Sequence, residues 1–129
     1  MSEPTIPPNP QPHPGGTVRP LNADEQSVLT LLLEKDFPGR SELIEQGRGV
    51  LARVIDANGS LEFVSTEGPS APVQRRIPVE AEATDQDGVV IHVLLHVLDG
   101  RLHELEIYRE DSAQVVGVVD STQLRVIVL

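Results

Sequence analysis

Two Asp-Gly steps, Asp87-Gly88 and Asp99-Gly100, bracket one apolar run, residues 89–98. Asp-Gly between alternating segments is a strong hairpin signal, because glycine accepts the positive φ that a tight turn requires. The two turns therefore dictate three consecutive antiparallel strands, 77–85, 89–98 and 101–109.

Turn length sets the register, since a slip of one residue carries every side chain to the other face. A two-residue Asp99-Gly100 turn sets Leu95 and Val93 beside Glu104 and Glu106, which mixes apolar and charged positions on both faces. A three-residue loop, Leu98-Asp99-Gly100, instead groups Val97, Leu95, Val93 and Ile91 with Arg101, His103, Leu105 and Ile107. The same loop form at Gln86-Asp87-Gly88 adds Ile77, Val79, Ala81 and Ala83 to that face.

On this register the opposite face presents Glu82, His92 and Glu106 in one cross-strand row and Glu80, Leu94 and Glu104 in the next. Neighbouring strands lie about 4.8 Å apart, so a histidine flanked by two carboxylates is within reach of both. Glu82, His92 and Glu106 thus form a candidate pH-sensitive salt-bridge row or weak divalent-metal site. An ordinary solvated face with charge pairs has the same sequence pattern. His96 is expected to stand apart from the row, because four residues along a strand span roughly 13 Å. Glu80, Glu104, His96 and Tyr108 complete the face as candidate partner contacts. His103 falls on the apolar face and reads as a rim or hydrogen-bonded core residue.

Two helices precede the sheet. Asn22 is a good N-cap, Asp24 and Glu25 suit the positive end of a helix, and Val28, Leu29, Leu31, Leu32 and Leu33 supply its apolar side through about Lys35. Phe37-Pro38-Gly39 ends it, and a second helix runs over 40–46 with Leu43 and Ile44 inward. Alternation then predicts strands at 50–56 and 60–65 joined at Asn58-Gly59, a surface loop at 67–72, and short strands at 115–118 and 124–128. Prolines at 4, 7, 8, 10, 12 and 14 mark residues 1–19 as a disordered tail that cannot bury enough apolar surface to offset its ordering entropy. The expected architecture is a single α+β domain over residues 20–129. Its two N-terminal helices pack on one face of an antiparallel meander sheet of about five to six strands.

Composition narrows the function classes. There are 20 acidic against 10 basic residues, a formal net charge of −10 that disfavours nucleic acid and anionic membranes and suits a basic protein partner. The absence of cysteine excludes disulfides, thiolate nucleophiles and thiolate-held zinc or iron-sulfur centres. No stretch approaches the ~20 apolar residues of a membrane span. Residues 1–20 lack the basic start and apolar run of a secretory signal, so a cytoplasmic protein is expected. No G-x-S-x-G elbow, phosphate loop or H-E-x-x-H helix is present, and no cofactor is expected.

In chain order, Arg19-Pro20-Leu21, the 25–33 helix, Asp36-Phe37-Pro38-Gly39-Arg40, Gly59-Ser60-Leu61-Glu62-Phe63, Asp85-Gln86-Asp87-Gly88-Val89 and Leu102-His103-Glu104-Leu105-Glu106-Ile107 resemble a small bacterial family, domain-of-unknown-function family 6984. The likeness runs over about residues 19–111. Members have a longer Gly-rich turn before the Gly-Ser-Leu segment, where this chain has Asp56-Ala57-Asn58. The resemblance implies a compact helix-plus-antiparallel-sheet domain and carries no activity or site residues.

The leading functional expectation is a non-enzymatic interaction module, in one version immunity or antitoxin-like. In that version Glu80, Glu82, Glu104 and Glu106 imitate the charge of a nucleic-acid substrate for a basic partner. The alternative is a ligand- or metal-binding domain or enzyme built on the Glu82/His92/Glu106 row. Monomer and homodimer both remain open, the dimer through pairing of the 124–128 edge strand.

Overall fold

A computed structural model describes residues 16–65 and 67–129; most of the expected proline-rich tail therefore lies outside the described residues. Among the described residues there are two α-helices, α1 (Ala23–Leu32) and α2 (Arg40–Gly47). They are accompanied by seven strands: β1 (Arg19–Pro20), β2 (Leu51–Val54), β3 (Leu61–Ser65), β4 (Val79–Thr84), β5 (Val90–Leu98), β6 (Arg101–Arg109) and β7 (Arg125–Val128). The strands form one antiparallel sheet in the order β1-β2-β3-β6-β5-β4-β7. The class is α+β, with one or two strands more than expected. None of the helices is long and apolar enough to cross a membrane.

Helix α1 starts where Asn22 predicts. Its side chain accepts from the Glu25 amide while the Glu25 carboxylate accepts from the Asn22 amide, a reciprocal capping box. Arg19 also grips Glu25, at 2.7 Å, which ties the first strand to the start of the helix. The helix buries Val28, Leu29 and Leu32, and α2 buries Leu43, against Ala52, Leu61, Val79, Ala81, Val93, Leu95 and Leu105 from one face of the sheet. With no tryptophan in the chain, the core is mostly aliphatic, and both phenylalanines, Phe37 and Phe63, are buried in it. Each fully buried Leu or Val contributes about 1.5–3 kcal/mol.

The β4–β5 turn is as expected. Asp85 and Val89 close a three-residue loop through a backbone bond of 2.8 Å, and Gly88 takes φ 90°. The β5–β6 turn corrects the expected register. Asp99 (φ 52°) and Gly100 (φ 74°) form a two-residue turn between the paired residues Leu98 and Arg101. Both central residues have positive φ, as the type I′ hairpin turn requires. A β-bulge follows, its shift lying between Val97↔Leu102 and His96↔Glu104, so the extra residue on β6 is His103. The bulge restores the apolar phase that a two-residue turn alone would break. Leu102, expected on the polar face, is buried, and Leu95 faces Leu105 rather than His103.

The expected strand at 115–118 does not form. The amides of Val116 and Gly117 instead donate to the Asp85 carboxylate, at 2.7 and 2.9 Å, and the Val115 amide donates to the Asn58 side chain. Backbone groups satisfied by buried side chains have no need of a ladder. The chain then turns through a 3-10 segment, Ser121–Gln123, into β7 beside β4.

Candidate functional site

The helices lie on one side of the sheet, and the other side is the polar face that alternation predicts. Along β5 the residues alternate between half-buried His92, Leu94 and His96 and fully buried Ile91, Val93, Leu95 and Val97. Glu82↔His92 and Glu80↔Leu94 pair across β4 and β5 as expected. On the β6 side the shorter turn and the bulge each advance the partners by one residue, two in all from the expected register. His92 faces Tyr108, Leu94 faces Glu106, and His96 faces Glu104. Glu106 is therefore removed from the row in which the sequence placed it, and the expected Glu82/His92/Glu106 set becomes two separate clusters.

Around His92, the Tyr108 ring stacks on the imidazole with centroids 4.9 Å apart and planes 21° from parallel. Nε2 lies 3.1 Å from an oxygen of Glu110, and Nδ1 lies 3.9 Å from an oxygen of Glu82. Arg125, arriving on β7, holds the other Glu82 oxygen. Around His96, Nε2 lies 2.8 Å from Glu106, and the Arg76 Nε lies 3.4 Å from Nδ1. His92, Glu80 and Glu82 can bring ligand atoms within 4.8 Å of one another, and so can His96, Glu104 and Glu106. Burial first, and then the carboxylates of Glu106, Glu80, Glu110 and Glu82, push the Tyr108 phenol above its usual range.

His103, expected in the apolar face, sits half-buried on the bulge and lines a shallow cleft with Ile55, Glu62 and Glu104. Other concavities lie away from the histidines. One is between the helices, lined by Leu29, Leu33, Arg40 and Ile44, and another is beside Asp85, Gly117 and Asp120.

Sequence reasoning missed Glu110, Arg125 and Arg76. Glu110 was within reach, since it follows Tyr108 by two residues and so shares its face; what hid it was the register. Also missed was Arg109, which is 4 % exposed and holds Asp85, Asp87 and Asp111 at 2.9, 2.8 and 2.6 Å. The Val116, Gly117 and Gln86 amides together with Arg109 hold the Asp85 carboxyl far below its ordinary range, against the effect of burial. Arg109 first, then the Ala113 amide, holds Asp111 at about 2. This network clamps the 111–117 segment to the β4–β5 turn, and its donors are internally satisfied, so it has the form of a structural joint.

No curated protein and no solved structure matches this chain significantly. The family model for a domain of unknown function, DUF6984, matches residues 18–119, which is most of the chain. The chain belongs to the DUF6984 family of uncharacterised domains.

Proposed function

We propose that this protein is a non-enzymatic interaction module whose open sheet face binds a basic protein partner. The observation that carries the reading is the face itself: Glu80, Glu82, Glu104 and Glu106 stand on strands β4 and β6, and among the described residues no layer lies over them. Neither Glu80 nor Glu104 has an ion-pair or hydrogen-bond partner among the described residues, so their charge is available to a cation from outside. A net charge of −10 adds a long-range field of the same sign. Leu94 and the partly exposed Tyr108 ring lie among these carboxylates and supply the apolar and aromatic area that a specific interface needs. The narrower version is an immunity or antitoxin-like role, in which carboxylate rows stand in for the phosphates of a basic enzyme's substrate. The cysteine-free composition suits a cytoplasmic setting.

The test is affinity capture from the source organism's extract with wild-type protein and a Glu80→Gln, Glu104→Gln, Glu106→Gln triple variant. A basic protein retained by the wild type and lost by the variant, with association that slows as salt rises, is the expected result. A partner held equally by both proteins, or no partner with an alkaline isoelectric point, overturns the proposal.

A further inference from the structure

The two histidines of the open face differ in how their ring nitrogens are used. His96 has both engaged: Nδ1 faces the Arg76 guanidinium at 3.4 Å, and Nε2 bonds Glu106 at 2.8 Å. A cationic donor at Nδ1 makes that nitrogen the acceptor and places the ring proton on Nε2, so no lone pair is left over. His92 is different. Its Nε2 is within hydrogen-bond distance of Glu110 at 3.1 Å, whereas Nδ1 is 3.9 Å from Glu82, too far for a hydrogen bond. With the proton on Nε2 donated to Glu110, Nδ1 keeps its lone pair and directs it toward carboxylates.

Three further features build this position. The Tyr108 ring, stacked at 4.9 Å, fixes the plane of the imidazole, whose side chain is only 14 % exposed. Arg125 takes one oxygen of Glu82 and leaves the other turned to His92. Glu80 has no partner among the described residues, and its carboxylate, one Glu82 oxygen and a His92 ring nitrogen lie within 4.8 Å of one another.

We infer that His92 Nδ1, Glu80 and Glu82 form a divalent transition-metal site, with zinc as the best-suited ion and Glu110 as the outer carboxylate that orients the imidazole. One nitrogen and two carboxylate oxygens, with the remaining position left to water, is a donor set that zinc accepts. Zinc bonds of about 2.0–2.2 Å at tetrahedral angles put neighbouring ligand atoms roughly 3.4 Å apart, so the 3.9 Å His92–Glu82 separation has about half an ångström to close and the separations to Glu80, within 4.8 Å, at most about 1.4 Å. A carboxylate on the far nitrogen is the usual support of a metal-bound histidine, and here Glu110 occupies that place. The site shares Glu80 and Glu82 with the face proposed above, but the two readings fail separately: zinc binding is measured with no partner present, and partner capture does not depend on His92.

Tyr108 is the sole tyrosine and the chain has no tryptophan, so its ultraviolet spectrum reports on the ring stacked over His92. The experiment is calorimetric titration of the full, tag-free chain with zinc, together with the tyrosine difference spectrum. Wild type, His92→Ala, Glu80→Gln, Glu110→Gln and His96→Ala are compared, with circular dichroism to check folding. The expected result is one zinc per chain with a tyrosine signal that saturates alongside the heat. Binding is lost in His92→Ala and Glu80→Gln, weakened about 10–100-fold in Glu110→Gln, and retained in His96→Ala. Glu80→Gln removes no hydrogen bond or ion pair among the described residues and keeps the test valid should His92→Ala unfold. Absence of saturable binding by the wild type, binding that survives Glu80→Gln, or binding lost in His96→Ala overturns the inference.

Discussion

Replacing Gln46 with methionine keeps the side-chain volume and removes three hydrogen bonds at the point where helix α2 meets the Asp99-Gly100 turn. Gln46 is fully buried; its amide nitrogen donates to the carbonyls of Gly100 at 2.7 Å and Pro69 at 2.9 Å, and its oxygen accepts from the Leu102 amide at 2.9 Å. The three lost partners do not cost the same. The Leu102 amide is buried and becomes unsatisfied, a penalty of about 1–3 kcal/mol. The Gly100 carbonyl keeps its bond from the Ala71 amide at 2.9 Å and loses less. The Pro69 carbonyl belongs to an exposed loop residue, where water replaces the lost donor. The sum is about 3 kcal/mol, a large part of the 5–15 kcal/mol typical of a domain. With an m-value near ~1.5 kcal/mol/M in urea, the unfolding midpoint falls by about 2 M with little change in slope. Far-UV circular dichroism is the suitable probe, because the chain lacks tryptophan. A Gln46→Met midpoint within roughly 0.3 M of wild type would show that these bonds contribute no net stability, and the accounting would fail.

Asp85 and Asp111 have folded-state pKa values below those of the unfolded chain, Asp111 at about 2. Their stabilising contribution is therefore complete above pH 4 and is lost as pH falls toward 2. The thermal midpoint is expected to drop chiefly between pH 4 and 2, and the drop in Asp85→Asn to be shallower; equal slopes in the two proteins would refute the assignment. Gly100 and Gly59 both have positive φ, but an added Cβ at Gly100 meets the Ser70 hydroxyl at 2.1 Å and the Ala71 carbonyl at 3.0 Å, while at Gly59 it meets nothing within 4 Å. Gly59→Ala should cost about 1 kcal/mol from the backbone alone and Gly100→Ala about 3 kcal/mol, measured by urea unfolding. Equal costs would contradict the crowding argument.

Much of this fold was legible locally. Asn22 and Glu25 mark the start of α1 because capping is a contact between residues three apart. Gln86-Asp87-Gly88 sets the β4–β5 register, and with it the Glu82↔His92 pair, because a turn and its two strands are neighbours in sequence. Alternation along β5 named both the buried and the open face correctly.

Only the tertiary structure decided the rest. A two-residue turn followed by a bulge at His103 leaves the same alternation at the far end of the strand as a three-residue loop, so local patterning does not separate them. The choice is made by burial of Leu102 and by the bond that the Leu102 amide donates to the side-chain oxygen of Gln46, a residue 56 positions earlier. That choice moves Glu106 to His96, puts Tyr108 over His92, and brings Glu110 to its far nitrogen. Arg125 reaches Glu82 only because β7 closes the sheet beside β4. The residue types of the candidate site are written in the sequence, but which carboxylate serves which histidine depends on packing between segments far apart in the chain.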